Sequence, residues 1–197
     1  MLITILRTKR LILRPLLFSD LNAMADTIMA DKEVMHWLPY SHLCSTPEGQ
    51  AYLAKGYLLD FIRPWKENGF GMWAVCIRDQ ALGAVGQFIG YCGFLPEKIA
   101  GAGPEIAYAM GKSMWGQGLI PEALDACLAW IFNHTAHTGV YAVTDTGNRA
   151  SRKVMEKAGM RYKRGVDLYN SVAKGVGLLP FYAITREDYF ENIPPEP

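Results

Sequence analysis

The stretch EIAYAMGKSMWGQGLIPEAL, residues 105–124, sets Gly111, Gly116 and Gly118 between an extended-type run and a helical one. The first four N–H groups of a helix have no partner inside it. With the helix dipole they favour an anion at that end, by up to about 1 kcal/mol at an exposed site. Gly116 and Gly118 let an anion approach the backbone, and Pro121 in the first turn gives up no needed N–H. The chemistry on offer is phosphate binding by main-chain amides. No Lys-Ser or Lys-Thr follows the glycines, which excludes a nucleoside-triphosphate loop, and without the G-x-G-x-x-G spacing the turn is a poor dinucleotide fingerprint. A tight corner with helix-start chemistry and no ligand accounts for the same residues equally well.

The elements that must position this turn are legible from periodicity. Residues 9–15 alternate, with Leu11 and Leu13 on one face and Arg10, Ile12 and Arg14 on the other, as in a half-buried strand closed by Pro15. Residues 19–29 have helical spacing with Ser19 or Asp20 as cap, and Asp31 caps a further short helix stopped by Pro39. Thr46, Pro47 and Glu48 open a longer helix that is expected to end at Ile62, ahead of Arg63-Pro64. Residues 69–79 and 87–95 read as a hairpin with a loose loop, and 104–110 as a third strand.

From Gly118 onward Ile120, Ala123, Leu124, Cys127, Leu128 and Ile131 follow a helical stripe. Residues 139–145 form a buried-type strand, and 148–159 a short helix with Asn148 as cap and Gly159 as stop. Residues 160–169 and 179–189 are expected to be two closing strands, and 190–197 a frayed tail. The order describes one mixed α/β domain over residues 1–197, with a single β–α–β crossover across 104–145 that makes its two strands parallel.

Composition narrows the class. The chain has 197 residues, half of them hydrophobic, and a net charge of +1. That is enough for one sizeable core and argues against a nucleic-acid or membrane-surface partner. The charges at Arg7, Lys9, Arg10 and Arg14 interrupt the apolar start too early for a signal sequence. Cys44, Cys76, Cys92 and Cys127 stand singly in apolar contexts, so buried thiols are expected rather than a metal site or disulfide framework, and with them a cytoplasmic protein.

Taken in order, the motifs resemble the Gcn5-related N-acetyltransferases (GNAT), and within them the subgroup that includes the ribosomal-protein N-terminal acetyltransferases. An opening T-x-R-L-x-L-R-P is carried by Thr8, Arg10, Leu11, Leu13, Arg14 and Pro15. GMWAV and IGYCG follow in the middle of the chain. The strand-turn-helix is carried by Glu105, Ile106, Tyr108, Trp115, Gly116, Gly118, Glu122 and Ala123. The late helix is carried by Asn148, Ser151, Glu156, Lys157 and Gly159.

The resemblance implies an α/β (α+β) domain with a mixed, mostly antiparallel sheet, a central splayed parallel strand pair and flanking helices. It implies acetyl-CoA as co-substrate, with no metal, clasped where strands 104–110 and 139–145 part. Its pyrophosphate would rest on the N–H groups of Gly116, Gln117, Gly118 and Leu119. Met110, Gly111 and Lys112 would pair with the pantetheine arm like an added strand, and Asn148 would bond the same arm. Two positions depart from the wider pattern: Ser113 replaces a Gln or Arg, and Met155 replaces a tyrosine that serves many members as thiolate acid.

Acetyl transfer to an amine needs a neutral amine, donors for the oxyanion and a proton for the departing thiolate. A backbone N–H near Met110 is the expected oxyanion donor. Glu105 is the expected base, acting through a water if burial raises its proton affinity; an acid after Gly103-Pro104 is otherwise just solvated. Ser151 is the candidate to position the sulfur or relay a proton, though a serine in a first turn also bonds local backbone. Basic Arg149, Arg152, Lys153 and Lys157 would meet the 3′-phosphate or simply solvate the helix. Glu33, His36, Trp37, Tyr40, Arg63 and Trp65 are candidates for the acceptor pocket. The expected activity is acetyl transfer to a primary amine in a ternary complex, foremost a protein N-terminal α-amine, by a monomer or homodimer. A small-molecule amine acetyltransferase and a non-catalytic acyl-CoA-binding module are the alternatives.

Overall fold

The computed structural model describes residues 4–191. Of the expected tail, residues 192–197 lie outside the described residues, while Phe190 and Glu191 complete a helix. Strands β1 (Leu6–Arg7), β2 (Leu11–Pro15), β3 (Met72–Ile77), β4 (Phe88–Leu95), β5 (Glu105–Met110), β6 (Gly139–Val143), β7 (Arg161–Val166) and β8 (Leu179–Thr185) form one sheet in the order β1-β2-β3-β4-β5-β6-β8-β7. β1 through β4 pair antiparallel in sequence, as do β6 with β8 and β8 with β7. β5 and β6 are parallel with Glu105 opposite Tyr141, the pairing that a helical crossover requires.

The helices are α1 (Leu21–Met24), α2 (Lys32–Met35), α3 (Pro47–Glu67), α4 (Leu119–His134), α5 (Arg149–Lys157) and α6 (Arg186–Glu191). Among the described residues none is long and apolar enough to cross a membrane. The chain divides into two compact units: Met1–Leu95 with Ala107–Cys127, and Pro96–Ile106 with Leu128–Pro197.

In the first unit, Met24, Ile28, Leu53, Ala54, Leu58 and Phe61 pack with the Met72, Ala74 and Cys76 face of β3 and with Tyr91 of β4. β3 is buried at every position, which suits its β-branched and aromatic content. α2 begins as expected, with Asp31 Oδ1 accepting from the N–H groups of Glu33 and Val34. α1 differs at its start. Asp20 caps nothing there; its carboxylate turns back to the Arg14 guanidinium at 2.6 and 2.8 Å and to the Leu17 N–H. A bidentate arginine offers a buried carboxylate more than a single amide does.

α3 also differs from expectation, running five residues beyond Ile62 and carrying Pro64 inside it. Trp65 is the reason: it is buried among the sheet residues, donates Nε1 to the Met72 carbonyl at 2.9 Å and meets Trp73 edge to face. That packing outweighs the one hydrogen bond proline forfeits, close to the helix end where carbonyls are unsatisfied anyway.

The second unit stacks Tyr141 of β6 on Phe181 of β8 and sets Phe132 of α4 against Tyr189 of α6. Its last expected strand is shorter than the sequence suggests, because 186–191 turns into α6. Thr185 caps that helix by accepting from the Asp188 N–H, a cap that the pattern TREDY spells and that strand periodicity hides. Cys76, Cys92 and Cys127 are buried free thiols as expected, while Cys44 is half-buried.

Candidate active site

The glycine turn belongs wholly to the first unit, as do Met110, Gly111 and Lys112. β5 ends at Met110, and Lys112–Met114 form a single tight turn. Gly116 and Gly118 both take left-handed backbone, with φ of 76° and 73°. A Cβ on Gly116 would meet nothing within 4 Å, so glycine is needed there for its conformation and not for room. α4 opens directly after Gly118, and its first-turn N–H groups have no carbonyl before them in the helix. The four positions expected to cradle a phosphate, Gly116 to Leu119, are thus brought together on one helix start.

Two groups of the expected pantetheine edge have partners inside the chain. The Gly111 N–H donates to Ile89 of β4, and the Met110 carbonyl accepts from the Trp115 indole at 2.7 Å. A carbonyl keeps a second lone pair, so Met110 can still accept. Lys112 pairs with Glu33, one of the residues expected in an acceptor pocket. A cleft of about 250 Å³ opens beside the turn, lined among others by Asp26, Thr27, Ile89, Gly111, Lys112 and Ser113.

A brace holds the turn, and sequence reasoning assigned it no role. The Glu122 carboxylate in the first turn of α4 accepts from the Thr8 hydroxyl, the Arg10 N–H at 2.8 Å and the Arg10 guanidinium at 2.6 Å. The same guanidinium donates to the Gln117 carbonyl at 2.8 Å. Burial works to raise the proton affinity of Glu122, and the three donors together overcome it, leaving the carboxyl below its ordinary value. The signal lay in the motifs: Thr8, Arg10 and Glu122 were each part of one, but a hydrogen bond across 112 residues leaves no trace in spacing.

Glu105, Asn148 and Ser151 lie in the second unit. Glu105 is 4% exposed, which rules out a simply solvated acid. Burial raises its proton affinity above the ordinary carboxylate value, against the pull of the Tyr169 hydroxyl, the Lys98 ammonium and the Tyr141 hydroxyl. Tyr169 donates to Glu105 Oε2 at 2.5 Å, and Lys98 Nζ stands 3.9 Å from the same oxygen. Burial likewise pushes the Tyr141 phenol up, so it stays protonated. Lys98 sits in a loop, and Tyr169 closes the segment expected as a strand over 160–169, which ends in the structure at Val166; neither residue type marks a site.

Asn148 caps α5 as expected, with Oδ1 accepting from the Ser151 N–H at 3.0 Å. Ser151 is half-buried in that first turn. Met155, where the resemblance raised the expectation of a tyrosine, is buried in packing. Two of the acceptor-pocket candidates stand apart in burial. Trp65 is a core residue, and Arg63 is 65% exposed on α3 beside Asp60 and Glu67. His36 and Trp37 meet edge to face at 4.5 Å, a packing pair.

A parallel strand pair joined by a glycine turn and helix, with a buried carboxylate at the strand's start, defines a class that comparison with known proteins identifies. Residues 10–161 match the acetyltransferase (GNAT) domain family, and the chain belongs to that family. Over 105 residues it is 35% identical to the uncharacterized protein YkkB of Bacillus subtilis, covering 53% of this chain and 59% of that relative's length. The chain thus spans less than two thirds of the curated relative it matches. An acetyltransferase from Agrobacterium tumefaciens shares the fold, with a TM-score of 0.73 at 21% identity over 93% of this chain and 95% of that one. The RimL ribosomal L7/L12 alpha-N-protein acetyltransferase in complex with coenzyme A does so with a TM-score of 0.70 at 18% identity, over 92% and 98%.

Proposed function

We propose that the protein is an acetyl-CoA-dependent N-acetyltransferase whose acceptor is a protein N-terminal α-amine. The carrying observation is Glu105, a buried carboxylate with raised proton affinity at the start of the strand that leads into the glycine turn. Acetyl-CoA would supply the activated acetyl group as thioester. The N–H groups of Gly116, Gln117, Gly118 and Leu119 suit its pyrophosphate, since two left-handed glycines and a helix start converge there. Met110, Gly111 and Lys112 offer main chain to the pantetheine arm, and the Asn148 amide NH₂, left over by its capping role, offers it donors.

Glu105 takes the proton from the incoming ammonium. An α-amine, with a pKa of about 8, yields its proton more readily than a lysine side chain at about 10.4, and a carboxylate made more basic by burial narrows the gap further. This favours α-amines as acceptors. The name of the coenzyme A-bound structural neighbour, an alpha-N-protein acetyltransferase, agrees with that class. The Ser151 hydroxyl, in the first turn that Asn148 caps, is the group assigned to the leaving sulfur.

Thiol release from acetyl-CoA, followed across a panel of N-terminal peptides and small amines, tests this reading. Turnover concentrated on peptides is expected. Turnover on small amines alone would move the acceptor to metabolites, and tight coenzyme binding with no turnover on any acceptor would make the chain an acyl-CoA-binding module.

A further inference from the structure

We infer that Tyr169 and Lys98 are positioning residues for Glu105, holding its carboxylate in place and ready to take a proton. The inference rests on the base role proposed for Glu105. Its carrier is a chain of donors within the second unit: Lys98 Nζ stands 2.6 Å from the Tyr169 hydroxyl, which stands 2.5 Å from Glu105 Oε2. An ammonium has donors and no acceptor, whereas a phenol has a single proton. Lys98 must therefore donate to Tyr169, and the Tyr169 hydroxyl donates in turn to the carboxylate. The lysine sets the direction of the whole chain, and its ammonium also lies over the Tyr169 ring, 4.1 Å from the centroid.

The backbone supports the same reading. Tyr169 and Asn170 occupy left-handed space in succession, at φ of 61° and 55°. That region is uncommon for a residue with a large side chain, and such conformations gather where surrounding structure imposes them. Here the Asp167 carboxylate ties the loop by accepting from the Ser171 hydroxyl and the Val172 N–H, each at 3.1 Å. The loop is thereby shaped to deliver one hydroxyl to one carboxylate.

The groups facing Glu105 are few. Lys98 comes from the segment after β4, Tyr169 from the loop after β7 and Tyr141 from β6; the charge of Glu97 acts on Tyr141. Tyr141 also accepts from the Lys98 N–H, which anchors the lysine's backbone as well as the carboxylate. Burial by itself would leave Glu105 protonated over more of the pH range, and a protonated acid cannot act as base. Lys98 and Tyr169 counter burial while leaving some of it in force, so the carboxylate stays more basic than one in water.

Tyr169→Phe keeps the ring and deletes the donor. The Glu105 side-chain carboxyl carbon, followed by NMR across pH, should show its midpoint rise by roughly one pH unit. The acidic limb of kcat/KM for acetyl transfer should rise with it, because the base works only when ionised. Lys98→Met should move both in the same direction, and Lys98→Arg should restore them. A purely structural tyrosine would lower thermal stability and kcat without moving the limb. An active Tyr169→Phe enzyme whose limb stays in place overturns the inference, as does a raised carbon midpoint with an unmoved limb. No turnover by the wild-type protein on any amine, or an undiminished rate in Glu105→Gln, overturns instead the base role on which the inference stands.

Discussion

The glycine turn of the first unit and the carboxylate site of the second do their work with different atoms. The turn has its main-chain N–H groups on four successive residues, Gly116 to Leu119, with side chains serving only to brace it. The carboxylate site is made of side chains from Lys98, Glu105, Tyr141 and Tyr169, which meet only because separate segments converge. Main-chain donors at a helix start are a local property, dictated by glycine φ values and by where the helix begins. A buried carboxylate depends on every neighbour around it, because its proton affinity is the balance between lost water and gained donors.

The two carboxylates carry the contrast further. Glu122, in the turn's brace, is held below its ordinary value by three donors that outweigh its burial. Glu105 is left above its ordinary value, because burial outweighs the donors it has. The first is held in an ion pair with Arg10, and the second is the one to which the proposed mechanism gives a proton.

The sharpest break in this comparison comes from Glu105→Gln, which should lower kcat/KM by about 10² to 10⁴-fold, the usual contribution of a general base. Thiol-release kinetics at saturating acetyl-CoA will read it, with coenzyme affinity unchanged. The converse variant is Gly116→Val, which forces a β-branched residue into left-handed backbone at a place where nothing lies within 4 Å of the added Cβ. Loss of one well-aimed amide contact should weaken coenzyme A binding about tenfold by calorimetric titration, while Glu105 keeps its titration.

Stability against pH should separate the two acids by sign. Glu122 has a lowered folded-state value, so its contribution is present above the unfolded value of about 4.3 and is lost as pH falls through the folded one. Glu105 has a raised value, so its contribution is full below about 4.3 and is lost as pH rises through the folded one. In urea titrations from pH 7 down to pH 3, the stability of wild type over Glu122→Gln should shrink, and that of wild type over Glu105→Gln should grow. Equal slopes would erase the distinction drawn between the sites. The smallest expected effect is that of Asn148→Ala, which removes the α5 cap and should cost about 1 kcal/mol in the same titration. A larger loss in coenzyme affinity than in stability would show Asn148 facing the ligand as well as the helix.

The strand at 9–15, the hairpin of β3 and β4, the Asp31, Thr46 and Asn148 caps and the start of α4 were all legible in the sequence, because each depends on neighbours a few residues away. The end of α3 was not. Proline at 64 is a local stop signal, and it was overridden by the distant bond from Trp65 to the Met72 carbonyl and the burial that goes with it. α6 was missed for the opposite reason, since a short helix follows a strand with no break in apolar pattern. Arg63 and Trp65 were read as pocket residues from their types alone, and burial sorted them into surface and core.

By itself, the sequence determined the glycine turn, the residue that begins the strand before it and the ordered motifs that mark the family. All of these are written in residue type and short spacing, which is where backbone conformation is decided. The tertiary structure alone decided what Glu105 is. Its exclusion from water, the Tyr169 hydroxyl and Lys98 ammonium that counter that exclusion, and the Arg10 clamp on Glu122 all join residues far apart in the chain. Electrostatic free energy depends on distance through space and on access to water, and neither is encoded in any local stretch.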